Sequence, residues 1–344
     1  MLFLFRFKPC MIVHNLSIAL VVVLFLALAA EFTNGVTDAA NAIATVISTR
    51  VLSPTRAVIM AGTLNLVGVL VTGTAVATTI GTGIVKPEVI GLHTIAAALL
   101  TIIIWSWVAW RFGIPTSETH EMVAGLAGAG LATAGTSVLL WDGWRKVLLG
   151  LGISTVAGFA LGFIVMLSIY WLFRRATYSK VRSAFGRLQI VSAAFMAFSH
   201  GSNDGQKFMG IFTMALYIGG ILPSFFVPWW VVILCGAVMA IGTATGGWRI
   251  IKTMGFGITR LDPVQGFAAE TSASIAILVA SSFGIPLSTT HSISATIMGV
   301  GSTRRLSAVK WGTTRSIFMT WIITFPVCFV IGYVLTLITK PIMT

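Results

Sequence analysis

Two short patterns with the makings of ion-binding sites each occur twice in this chain, in the same order. Asn34-Gly-Val-Thr-Asp-Ala-Ala-Asn-Ala42 is answered by His200-Gly-Ser-Asn-Asp-Gly-Gln-Lys207, and Gly113-Ile-Pro-Thr-Ser-Glu-Thr-His120 by Gly284-Ile-Pro-Leu-Ser-Thr-Thr-His291. The second pair agrees at six of eight positions, and the motif aspartate precedes the motif histidine by 82 residues in copy one and 87 in copy two. In Gly-Ile-Pro-x-Ser-x-Thr-His, Gly and Pro end one helix and Ser117 or Ser288 caps the next. The new helix start offers free backbone N–H groups, a positive dipole end and the hydroxyls of Thr116 and Thr119, or of Thr289 and Thr290. That chemistry suits an anion. Asp38, Asn41, Asn203 and Asp204 offer oxygens to a cation such as Na⁺, with carbonyls expected from unwound backbone at Gly35 and Gly201.

Glu31, Asp38, Glu118, Glu121, Asp204 and Glu270 all fall in otherwise apolar segments. A charge at the centre of a bilayer costs about 2.5–3.5 kcal/mol on insertion scales, so each of these groups needs a partner. Asp204 and Lys207, three residues apart, can pair on one helix face, which is a structural role as well as a functional one. Glu118 and Glu270 join Asp38, Asn41, Asn203 and Asp204 as candidates for cation coupling; Glu270 aligns with Leu99 and breaks the symmetry of the copies. His120 and His291 are expected to support the anion motifs, chiefly by holding the hairpins.

These residues need a scaffold, and composition identifies it. The chain is 57% hydrophobic and 9% charged, with a mean hydropathy of +0.97. That leaves too little polar surface for a soluble globule and marks an integral membrane protein. Apolar runs such as 16–30, 147–173 and 317–338 approach or exceed the ~20 residues of a spanning helix, and no alternating strands of a β-barrel are visible. Cys10, Cys235 and Cys328 make no metal-ligand spacing. The N-terminal segment around Arg6 and Lys8 leads into the first motif without a cleavage site and reads as part of the first span. The net charge of +13 sits in short gaps between spans, which argues for a membrane partner and against nucleic acid.

Those gaps carry the topology. Residues 174–187 hold five basic residues and no acid, so this linker should be cytoplasmic. Arg50 and Arg56 follow the first motif of copy one, whereas 219–230 in copy two is uncharged; before and after the second motif the bias reverses. Equivalent loops on opposite sides indicate an inverted-topology repeat. The expected chain is an all-α polytopic protein, with repeat one at 1–173, a basic linker at 174–187 and an inverted repeat two at 188–344. Residues 16–48 cross inward, 57–79 outward, 92–140 form an excursion and 147–173 cross inward. Then 188–218 cross outward, 229–247 inward, 264–303 form the second excursion and 316–338 outward, with both termini outside. Broken helices and paired hairpins are expected to meet at the midplane; length does not decide whether the hairpins are re-entrant or full spans.

The motifs around Asp38 and Asp204 resemble the duplicated Gly-Ala-Asn-Asp signature of the PiT inorganic phosphate transporters, and the two hairpin motifs resemble that family's second element. The resemblance covers essentially the whole chain. It implies import of inorganic phosphate by symport with Na⁺ or H⁺ through alternating access, without a cofactor, in a bacterial plasma membrane. It further implies phosphate held between Thr116, Ser117, Thr119, Ser288, Thr289 and Thr290 and the motif residues Asp38 and Asp204; a homo-oligomer is compatible with it. Thr37 stands where the signature has Asn, and Glu118 stands where copy two has Thr289. Glu118 should then be protonated, turned away or part of a proton path, biasing the site toward proton coupling or a metal-phosphate substrate. Symport fits the energetics, because a dianion entering against an inside-negative potential costs about 4.6 kcal/mol per 100 mV. The rival readings are a sulfate symporter, a passive anion channel, and a membrane hydrolase using Ser288 with His291 or Ser117 with His120. The doubled motif argues against an enzyme.

Overall fold

A computed structural model describes residues 17–343; Cys10, Arg6 and Lys8 lie outside them. Copy one comprises α1 (Ile18–Ser48), α2 (Pro54–Val71), α3 (Ala75–Gly83), α4 (Leu92–Phe112), α5 (Glu118–Ala134), α6 (Trp141–Gly152) and α7 (Gly158–Leu172). Copy two comprises α8 (Tyr178–Ile218), α9 (Trp229–Thr245), α10 (Trp248–Lys252), α11 (Pro263–Ser282), α12 (Thr289–Ser302) and α13 (Trp311–Met343). Six of the described helical rods are long and apolar enough to cross a membrane, and α9 with the 248–257 segment, bent by 61°, makes a seventh as a broken span. The chain is an integral membrane protein, and its described residues contain one isolated β-bridge, Val85 to Leu139, and no strand. Large apolar side chains such as Phe25, Val71, Trp171 and Phe283 face outward, as a lipid-facing surface requires.

The two motif helices run antiparallel at the centre. Leu20 at the start of α1 lies under Gly219 at the end of α8, while Thr49 after α1 donates to Gln189 near the start of α8 at 2.9 Å. Packing is exchanged between copies: α1 lies on α9 and α8 on α2, α5 lies on α13 and α12 on α7. One end of the bundle gathers Arg50, Arg182, Arg260 and Arg304; the other gathers Ile18, Leu26, Ala96 and Thr339.

Both hairpins enter and leave at one end each, and the ends differ. Thr94 and Thr133 join the arms of α4 and α5 at 2.7 Å. Arg304 bonds Asp262 at 2.6 Å, closing the arms of α11 and α12 at the basic end. Their tips meet inside the protein, where the Thr119 hydroxyl donates to the Leu287 carbonyl at 2.9 Å.

One sequence expectation changes. α1 and α8 are continuous through Gly35 and Gly201, so these glycines release no carbonyls. They are there for close packing: a Cβ on Gly35 would lie 2.5 Å from the Met239 carbonyl oxygen, so only glycine lets α1 and α9 touch. The breaks fall instead between α2 and α3, where Gly73 has φ +80°, and between α9 and α10, where Gly246 has φ +74°. Within the linker expected at 174–187, α8 begins at Tyr178 and carries Lys180, Arg182 and Arg187, while Arg174 and Arg175 precede it.

Candidate functional site

The hairpin motifs fold as their residue types dictate. Gly113 and Gly284 adopt left-handed φ of +67° and +65°, a conformation cheap only for glycine. Ser117 and Ser288 then cap α5 and α12, accepting from the backbone N–H of His120 at 3.4 Å and of His291 at 3.1 Å. Both helix starts point into the centre of the bundle, where α1 and α8 bring the aspartate motifs.

Asp204 is fully buried at 1% exposure and fully engaged. Its Oδ1 accepts from Lys207 Nζ at 2.7 Å and Asn203 Nδ2 at 2.6 Å. Its Oδ2 accepts from the Thr289 hydroxyl at 2.9 Å, and His200 Nε2 lies 3.4 Å away. His200 Nδ1 is in turn 3.2 Å from Asn65 Oδ1, and Asn65 donates to Thr243 at 2.9 Å. The pairing of Asp204 with Lys207, expected from their spacing, is therefore present.

Asp38 is placed differently. It lies close enough to His200 and Asp204 for one ligand atom of each to fall within 4.8 Å of the others, yet its Oδ2 has no hydrogen-bond partner among the described residues. Asn41, one turn on, donates to the hydroxyls of Thr289 and Thr290 at 3.1 and 3.0 Å, leaving its Oδ1 unpartnered. Asn203 is used otherwise than its counterpart positions suggest. Its Nδ2 also donates to the Leu287 carbonyl at 2.9 Å, and its Oδ1 accepts from Leu287 N at 3.3 Å and Ser281 at 3.2 Å. Asn203 thus clamps the tip of the second hairpin.

The two departures from the family pattern are each other's partners. The Thr37 hydroxyl donates to Glu118 Oε1 at 2.6 Å; Glu118 is buried and its Oε2 is unpartnered. Thr116 lies beside Glu121, whose Oε2 accepts from Ser106 at 2.5 Å. The structure thus brings Asp38, Asn41, Asp204, Thr289 and Thr290 together, with Thr37 and Glu118 pairing the two motifs of repeat one.

Other residues stand apart. Glu270 is caged by Thr45 at 2.5 Å, Gln189 at 3.1 Å and Ser192, and shares no hydrogen-bond partner with Asp38 or Asp204. Thr45 is seven residues beyond Asp38, about 10 Å along the helix. His120 and His291 meet edge to face with ring centroids 4.6 Å apart, and His291 packs over Trp321 at 3.6 Å. They brace the hairpin tips against α13 through their rings. Sequence reasoning gave no role to His200, Asn34 or Asn65. The position of His200, four residues before Asp204 on the same helix face, was the available signal.

Known proteins share the sequence and the fold of this chain. The profile of the Phosphate transporter family matches residues 34–180 and 174–332. A protein of Rhizobium meliloti named a probable low-affinity inorganic phosphate transporter is 48% identical over 89% of this chain and 92% of its own length. One of the same name from Bacillus subtilis is 41% identical over 92% of this chain and 96% of its own. A solved structure titled the sodium-dependent phosphate transporter superposes with a TM-score of 0.86 at 24% identity, covering 95% of this chain and all of that one, which shows a shared fold. The relatives are transporters rather than enzymes, as the doubled motif implied. The chain is a member of the Phosphate transporter family.

Proposed function

We propose that this protein imports inorganic phosphate by cation symport, with the anion bound between the two hairpin tips and the motif helices α1 and α8. The observation that carries this reading is the meeting of Asn41 from α1 and Asp204 from α8 on the hydroxyls at the start of α12. One site is thereby shared by both copies, with hydroxyls and helix N-termini for an anion beside carboxylates for a cation. A hydroxyl that can turn from Asp204 to a phosphate oxygen frees the carboxylate to accept the O–H of a protonated phosphate, a contact that sulfate lacks at neutral pH. Entry of the two hairpins from opposite ends, and the antiparallel course of α1 and α8, support an inverted repeat, with the basic end cytoplasmic and alternating access as the cycle. The name of the structural neighbour favours Na⁺ as the coupling ion. The buried, half-partnered Glu118 favours H⁺.

Uptake of labelled phosphate by proteoliposomes tests the reading: arsenate should compete and sulfate should not, and equal competition by sulfate would overturn the assignment. A metal-phosphate substrate is the second reading, favoured by the grouping of Asp38, His200 and Asp204. It requires that uptake fall when divalent ions are chelated.

A further inference from the structure

The positions equivalent by the internal repeat are Asn41 in copy one and Lys207 in copy two, each three residues after its motif aspartate. Asn41 keeps a free side-chain oxygen, Oδ1, beside a free Asp38 Oδ2. In copy two the lysine ammonium lies 2.7 Å from Asp204 Oδ1, and both residues are 1% exposed. A monovalent cation needs carboxylate oxygen and little else of high charge around it; at Asp204 that place is already filled by a positive group covalently tied to the helix. Copy one makes the equivalent helical turn with the neutral Asn41, so the turn itself does not demand a cation.

Resting on the symport reading above, we infer that Lys207 is a built-in cation at the copy-two half-site, so that only the copy-one half-site, Asp38 with Asn41, takes an exchangeable coupling cation. A tethered charge crosses the membrane's field with the loaded carrier and returns with the empty one, so it contributes nothing to net charge moved per cycle. An exchangeable ion does contribute. Glu31 supplies the matching acid. It is fully buried, neither of its oxygens has a hydrogen-bond partner among the described residues, and it interacts electrostatically with both Lys207 and Asp204. It sits seven residues before Asp38 on α1, and because α8 runs antiparallel, Lys207 is displaced from Asp204 toward that same end. Like Lys207, Glu31 has no equivalent in the other copy, where Ala197 aligns with it.

The test is the steady-state phosphate accumulation ratio in proteoliposomes held at about 60 mV inside-negative with no concentration gradient of the coupling cation. Replacing Lys207 by Asn, the residue of copy one, opens a second exchangeable half-site. One further charge per phosphate then raises the accumulation ratio about tenfold, since about 2.3 kcal/mol per charge per 100 mV is about 1.4 kcal/mol at this potential. Lys207→Arg keeps the tethered charge and should keep the wild-type ratio. Should Lys207→Asn not be recovered as folded protein, Lys207→Gln, which also offers an amide oxygen, is read in the same way. An unchanged ratio in a transporting Asn or Gln variant overturns the inference, as does a raised ratio in the Arg variant. Failure of the wild-type protein to accumulate phosphate when an inward gradient of the coupling cation is imposed would instead count against the symport reading.

Discussion

In copy two, Asp204 has four neighbours and no free oxygen: Lys207 and Asn203 on one, Thr289 and His200 on the other. In copy one, Asp38 occupies the same place in the same motif, and its Oδ2, like Asn41 Oδ1 and Glu118 Oε2, has no partner among the described residues. A buried acceptor without a donor is expensive, and Asp204, unlike Asp38, finds its donors within the chain. The repeated motifs share one scaffold, while the difference between the copies separates a half whose aspartate is neutralised by its own lysine from one whose aspartate is not.

Removing the carboxylate charge in each copy should break the symmetry most sharply. Asp204→Asn leaves Lys207 buried without its counter-charge, a loss of about 3–5 kcal/mol. It should abolish uptake, by more than about 100-fold, and lower the thermal midpoint of the detergent-solubilised protein. Asp38→Asn should also stop coupled uptake but cost the fold far less, because no cationic side chain is left unpaired. Equal destabilisation by the two variants would remove the distinction between the two halves.

Next in size is the Thr37 and Glu118 pair. Glu118→Thr and Thr37→Asn, each bringing copy one toward copy two, should each lower phosphate uptake about tenfold by breaking a charge-assisted hydrogen bond of about 1.5–3 kcal/mol. The double variant should recover most of the loss, since the new residues reproduce the family pattern on both sides. Losses that simply multiply would show that the two positions act independently.

Glu270 should behave as structure. Glu270→Gln disturbs three donors and should cost about 1–3 kcal/mol of stability while changing the KM for phosphate less than about twofold. A large KM change with unaltered stability would place Glu270 in the transport site after all. The smallest effect is expected at the hairpin tips, where His120→Phe keeps an edge-to-face ring contact worth about 0.5–1.5 kcal/mol. It should alter uptake less than about threefold; complete loss would mean that the imidazole contacts the ligand.

Much of this organisation was legible in the residues themselves. Gly-Ile-Pro-x-Ser-x-Thr-His specified a helix break with a serine cap, and both copies fold that way. The Asp204 and Lys207 pair followed from a spacing of three on a helix. Gly35 and Gly201 were misread because a glycine permits both an unwound turn and a close helix contact, and only the neighbour decides: here it is the Met239 carbonyl for Gly35 and the Asn65 backbone for Gly201. The joining of Thr37 to Glu118 spans 81 residues, and that of Asn41 to Thr289 spans 248. No local pattern encodes such pairs; they arise where the antiparallel motif helices and the opposed hairpins converge. The donors to Glu270 are likewise hidden from local pattern, since they come from α1 and α8, far away in the chain.

The most direct test is phosphate accumulation by the purified protein in sealed vesicles, with Na⁺ and pH gradients imposed separately at a fixed membrane potential. The two-half site described above requires accumulation beyond equilibrium that follows at least one inward cation gradient and disappears when that gradient is collapsed. Phosphate that merely equilibrates across the membrane, whichever gradient is imposed, would contradict it.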